Sequence, residues 1–194
     1  MDLIRQTFFE EMKDVATSCV GHVLAYDKNT QLAQIQIGVV SVELDGNTFT
    51  PPPLIEVPVM FFGVSAFMLE HEIEAGDEGI VLFSQRNISN WMDTGGVSQQ
   101  SQIRFHDMSD AMFVCGLRSQ PNKLNDFKND GVRIRDKSGS NYVWLKSGGV
   151  VEINCTSLII NGNVVLTGDS TITGNTTQTG SISTTLDIRS DTII

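Results

Sequence analysis

The chain has 194 residues, enough for one ordinary core with an appendage but short for two full-sized domains. Its formal net charge of −10 excludes duplex nucleic acid and anionic membrane surfaces as partners, because both demand an excess of lysine and arginine. No apolar run reaches about 18 residues and Met1-Asp2-Leu3-Ile4-Arg5-Gln6 opens no basic-then-apolar leader. The expectation is therefore a protein with neither membrane span nor secretory signal, kept in the cytoplasm until something else carries it out. Cys19, Cys115 and Cys155 are odd in number and far apart, without ligand spacing, and read as buried free thiols.

Leu3, Ile4, Phe8, Met12 and Val15 recur at spacings of three and four, which predicts an amphipathic helix over residues 1–17. Its apolar stripe needs a partner, either its own domain or a neighbouring subunit. From Cys19 the pattern turns to strands: Val20 to Tyr26, then Leu32 to Val42, where Ala33, Ile35 and Ile37 alternate with polar residues or glycine. Asp27-Lys28-Asn29-Thr30 supplies the turn between them. After Pro51-Pro52-Pro53 come strands around Leu54 to Phe62, Ile80 to Phe83 and Ala111 to Leu117, with Glu74 to Gly79 as a turn in which Asp77 and Gly79 are the turn residues. Five or so strands over residues 18–120, preceded by one helix, fit a small closed barrel of the oligonucleotide/oligosaccharide-binding (OB) type. The polar stretch 121–130 reads as a linker.

Charge marks the same boundary. Residues 1–130 hold 18 acidic and 8 basic side chains, whereas residues 131–194 hold 5 of each. Beyond Trp144 there is no aromatic residue and beyond Pro121 no proline. Gly162, Gly168, Gly174 and Gly180 recur every six residues, with Val164, Leu166, Ile172 and Ile182 between them as candidate core positions. Such a short period is the mark of a β-helix or β-prism. One copy cannot fold this segment. Each short strand buries one or two aliphatic side chains worth about 1.5–3 kcal/mol apiece, against roughly 1–2 kcal/mol per residue for ordering the backbone. Three intertwined chains close the sheet around a shared aliphatic axis and leave no free edges. About ten strands stacked about 4.8 Å apart make a rod on the order of 50 Å long. The expected fold is all-β: N-terminal helix, OB-fold barrel, then an intertwined trimeric β-helix or β-prism rod over 131–194.

Three further stretches follow in order: Gly76-Asp77-Glu78-Gly79-Ile80-Val81-Leu82-Phe83, then Arg86-Asn87-Ile88-Ser89-Asn90-Trp91, then His106-Asp107-Met108-Ser109-Asp110-Ala111-Met112. Together they resemble the N-terminal domain of phage baseplate central spike proteins, over about residues 18–120, and the tail from Gly131 resembles the β-helical spikes of the same proteins. On that resemblance Gly76, Asp77, Gly79, Trp91, Asp107 and Asp110 are the structural motif residues. It implies a homotrimer with an OB-fold collar on a baseplate hub at the end of the tail tube. Its needle would pierce the host outer membrane in transient contact, and the protein would sit in the virion's tail baseplate after assembly in the host cytoplasm. Many such spikes end in a His-x-His motif that binds iron; no histidine lies beyond His106 here, so no metal and no cofactor is expected. A separate tip protein at Thr192-Ile193-Ile194 is the preferred closure, and apolar closure of the apex the other.

No catalytic constellation stands out. The ten-residue linker leaves no room for an inserted lysozyme-type domain, the acidic cluster Glu70, Glu72, Glu74, Asp77 and Glu78 lacks the calcium-loop pattern, and His22, His71 and His106 are dispersed. The expectation is a non-enzymatic part. Two other readings stay open: a glycan-binding tail-fibre or tailspike-like module, for which Trp91 and Trp144 would be the stacking residues, and the spike of a secretion-system or tailocin machine.

Overall fold

The computed structural model describes residues 3–13, 15–42 and 46–181. The chain divides into two compact units, Met1–Asn125 and Asp126–Ile194.

The first unit opens with helix α1 (Leu3–Lys13), shorter than the helix expected over 1–17. Ile4, Phe8 and Met12 stay exposed, so their stripe does not pack on the barrel. The barrel is closed in the order β1 (Ser18–Asp27), β2 (Leu32–Ile37), β5 (Leu54–Met60), β9 (Ala111–Cys115) and β8 (Glu78–Phe83). All neighbours are antiparallel except β5 and β9, which run parallel. This mixed five-stranded closure is OB-fold-like. Two small hairpins lie outside the barrel sheet, β3 (Ser41–Val42) with β4 (Thr48–Phe49), and β6 (Phe62–Val64) with β7 (Phe67–Leu69).

Alternation decides what fills the barrel. In β2, Ala33, Ile35 and Ile37 point inward while Leu32, Gln34 and Gln36 are only half-buried. Val23, Val57, Val81, Phe83, Ala111 and Phe113 complete the core. The strand expected over Leu32–Val42 ends at Ile37 instead. Val39 and Val40 stand side by side and break the period of two, and both stay exposed.

Ten-residue β1 serves two neighbours. Its first half pairs with β8 and its second half with β2, across a bulge between Val23 and Ala25. At the β8–β9 seam Gly79 faces Cys115, and a Cβ there would run into the Val114 carbonyl oxygen and stand 2.8 Å from Phe113 Cε2. Backbone cannot swing aside as a side chain can. Gly79→Ala is therefore expected to pry this seam apart and cost about 3 kcal/mol, the upper end of ordinary overpacking. Urea unfolding of the barrel transition checks it.

The second unit begins with a three-stranded antiparallel sheet, β10 (Gly131–Arg135), β11 (Tyr142–Lys146) and β12 (Val151–Asn154). These strands lie inside the segment expected to be rod, and are ordinary hairpin-connected strands with no six-residue glycine period. From Cys155 to Ser181 the described residues form no strand. The chain bends instead at Gly162, Gly168, Gly174 and Gly180, with φ of 152°, 116°, 127° and 123°. A five-residue stretch between two bends has no neighbour in its own chain with which to build a ladder. The expected rod core at Ile182 and the expected tip at Thr192-Ile193-Ile194 lie outside the described residues.

Candidate assembly surface

Among the motif residues of the barrel unit, Gly79, expected in the turn, lies instead within β8, where the lack of a side chain admits the Val114 carbonyl and the Phe113 ring. Gly76, at φ 93°, closes a turn in which Asp77 Oδ2 accepts from the Glu74 amide at 2.8 Å. The turn is tied to β1 twice: Gly76 N–H donates to the Val23 carbonyl at 2.8 Å and Val23 N–H to the Asp77 carbonyl at 2.9 Å. Asp107 precedes the 3-10 turn Met108–Asp110 and accepts from the Ser109 amide at 2.8 Å. Trp91 sits on the short helix α2 (Ser89–Thr94), half-exposed.

Asp110 is the hub of the group. Its side chain is 1 % exposed, and its carboxylate accepts from Arg104 Nε at 2.6 Å, Arg104 Nη2 at 3.0 Å, the Ile88 amide at 3.0 Å and Asn87 Nδ2 at 3.1 Å. Buried Asn87 extends the network, since its Oδ1 accepts from the Ser101 amide and hydroxyl. Desolvation pushes the Asp110 carboxyl upward, but the bonds from Arg104, Ile88 and Asn87 outweigh it and hold the pKa below the usual carboxylate value. One carboxylate thus pins residues 84–105 onto the barrel. Asn87 and Arg104 were not singled out from the sequence; an "R-N-I-S" stretch gives no sign of a partner 23 positions away.

Glu78 does similar work at the barrel's C-terminal end. It accepts from the Ser119 amide, the Ser119 hydroxyl and Asn122 Nδ2, and these bonds, the Ser119 amide first, lower its pKa. His106 Nδ1 lies 3.1 Å from the Ala16 carbonyl, and the Ala16 amide donates to the His106 carbonyl, so His106 anchors the residues after α1. Cys19 and Cys115 are half-buried, which raises their thiols, and Cys155 is exposed, so the expectation of three buried thiols is not met. Among the described residues no group of three or more His, Cys, Asp or Glu is placed to hold a metal ion.

The second unit has two unlike faces. One carries Arg133, Tyr142, Trp144, Lys146 and Glu152, and is covered by its own side chains. The Arg133 guanidinium lies 3.9 Å from the Tyr142 ring centroid and 5.5 Å from that of Trp144, and its Nη2 donates to the Gly139 carbonyl at 2.7 Å. Glu152 accepts from the Tyr142 hydroxyl and from Lys146 Nζ. Trp144 is only 9 % exposed, so it is packing and not an open stacking platform.

The other face is aliphatic and bare. The register aligns Val132, Leu145 and Val151 in one row across the sheet and Ile134, Val143 and Ile153 in the next. All six are exposed, from 38 % for Val143 to 67 % for Val132. A sheet that covers its cations and aromatics and leaves six aliphatics in water has its apolar face waiting for another surface. The tail repeats the theme in part: counting from the bends at Thr156, Gly162 and Gly168, positions two and four give Leu158 and Ile160, then Val164 and Leu166, then Ser170 and Ile172, whereas after Gly174 they are Thr176 and Gln178. Extended residues of one parity share a face. The five aliphatics at those positions are exposed, and so are Ile159 and Val165, which have the opposite parity.

The hairpin between β10 and β11 is locked by Asp136. Its carboxylate accepts from the Gly139 amide at 2.6 Å, Ser138 Oγ at 2.8 Å and Asn141 Nδ2 at 2.7 Å. With the Asn141 and Ser138 side chains as the chief cause, its pKa falls to about 2. A depressed carboxyl contributes stability above its unfolded value near 3.9, lost as pH drops through the folded value. The Gly139 amide resonance should thus hold its position down to about pH 3 and move with a midpoint near pH 2; Asp136→Ala should remove that step.

Residues 20–116, half of the chain, match a protein-family model described as Phage protein Gp138 N-terminal domain. A search of curated proteins finds no match.

Proposed function

The chain belongs to the phage Gp138 N-terminal domain family, and on that premise we propose that it is the homotrimeric central spike of a contractile tail baseplate, a mechanical part without catalytic activity. The observation that carries the reading is the bare aliphatic face of β10–β12, continued by the exposed aliphatics of the glycine-punctuated tail. Three copies turned inward on a common axis cover both. The Arg133, Trp144 and Glu152 face is then the outer wall, and the glycines form the corners between short strands that pair with strands of neighbouring chains.

The function follows from that architecture. A ladder closed through three chains resists bending because many backbone bonds must break together, so force from the contracting sheath reaches the outer membrane through a stiff rod. The barrel unit is the collar on the hub at the end of the tail tube, and its acidity favours a basic partner. A separate tip protein closes the far end. Inside the virion the spike works once, and no substrate is turned over.

Light scattering on the purified full chain tests this, paired with negative-stain images. The expected mass is three times the 21.3 kDa of one chain, with a thin rod projecting from a wider collar. A monomer, or a trimer without a rod, contradicts the reading.

A further inference from the structure

The β6–β7 hairpin is the least explained part of the barrel unit. Residues 61–69, Phe-Phe-Gly-Val-Ser-Ala-Phe-Met-Leu, carry no charge. Phe62 pairs with Leu69 and Val64 with Phe67, so four apolar side chains share one face of a two-stranded ribbon outside the barrel sheet. Their exposure runs from 47 % for Leu69 to 81 % for Phe67. A lone hairpin is marginal in water, and an apolar patch of this kind marks a contact. Gly63 adds that the strands are tightly apposed, since a Cβ there would collide with Met68 and the Phe67 carbonyl.

Charge decides between occupants. Glu70, Glu72 and Glu74 follow the hairpin directly, and the cleft at its base, about 720 Å³, is lined by Asp27, Glu70 and Glu72 against the single cation Lys28. A second copy's barrel unit is itself acidic, with 18 acidic against 8 basic side chains over residues 1–130, and would be repelled by this rim, and an anionic lipid surface would be repelled too. A protein with an apolar socket edged by lysine and arginine is attracted by the rim and buries the ribbon.

We propose that the β6–β7 hairpin with its acidic rim is the plug by which the collar seats in a different baseplate protein, one that offers an apolar socket bordered by basic side chains. The proposal rests on the spike reading above, in which that protein is the hub. It assigns the docking to residues 62–72 and not to the barrel wall at large.

The test uses phage particles assembled with the full-length chain supplied in trans. A photoreactive benzoylphenylalanine at position 67 is expected to cross-link to one other virion protein, through a peptide containing apolar residues beside lysine or arginine. Glu70→Lys together with Glu72→Lys is expected to lower incorporation into particles at least about 10-fold, while the mass and melting of the purified protein stay as in the wild type. Cross-linking to a second copy of this chain or to lipid overturns the proposal, as does undiminished incorporation of the charge-reversed chain or a loss of its trimer. If the wild-type chain itself is absent from particles, the spike reading falls and takes this proposal with it; if the wild type and the variant incorporate equally, this proposal alone falls.

Discussion

Leu145→Asp is expected to convert the purified protein from trimer to monomer while leaving the barrel folded. Leu145 is the middle residue of the row formed with Val132 and Val151, and half of its side chain is in water in a single chain. In a trimer, that row faces the axis, so the substitution brings three carboxylates toward one another in a place without a cation. Burying one unpaired charge costs several kcal/mol, and each 1.4 kcal/mol is a factor of ten. Association should weaken by at least about 100-fold, visible in sedimentation velocity as a shift to the single-chain species. Ile134→Leu keeps the face aliphatic and should leave the trimer intact. A trimeric Leu145→Asp protein would mean that this face is not the shared core.

The second large effect is expected at Asp110. Removing one partner of a buried ion pair leaves the other groups unsatisfied, at a cost of about 3–5 kcal/mol. Asp110→Ala strands Asn87 Nδ2 and the Ile88 amide as well as Arg104, so the barrel transition should lose stability in that range. Because the folded carboxyl titrates below its unfolded value, its contribution is complete above about pH 4 and fades as pH falls further. The wild-type barrel should therefore lose more stability on acidification than Asp110→Ala does. Urea midpoints at pH 7 and pH 3 check both statements. A variant with wild-type stability at neutral pH would remove Asp110 from its place as the clamp.

The barrel was legible because its strands announce themselves. Ala33, Ile35 and Ile37 alternate cleanly, and the turn at Gly76 and Asp77 carries residues that only a turn requires. The Asp110 clamp was half legible: a run of residues flagged the position, but its partners at 87, 88 and 104 come together only through the fold. The aliphatic face of β10–β12 was written in plain period-two order in Val132-Arg133-Ile134-Arg135 and in Val143-Trp144-Leu145-Lys146. The six-residue glycine period downstream draws the reading away from it, and places the rod's core at Val164, Leu166, Ile172 and Ile182 alone. The same pull hid the β6–β7 hairpin, whose uncharged run looks like the end of a strand until the Ser65-Ala66 turn folds it on itself.

The two halves of the chain solve opposite problems. The barrel closes on itself, so its edges and core are satisfied within one copy, and buried Phe113, Ile35 and Val23 hold it without help. The C-terminal unit is satisfied on one face only. On the proposed reading its stability is tied to assembly, which would suit a part that must be rigid when mounted.

Amide hydrogen exchange across residues 156–181 of the full-length protein tests that dependence most directly. If neighbouring chains complete the ladder, these amides should be protected at least about 1,000-fold over an unstructured peptide, and Leu145→Asp should abolish the protection. Exchange at the rate of an unstructured peptide in the wild-type protein would contradict the account at its root.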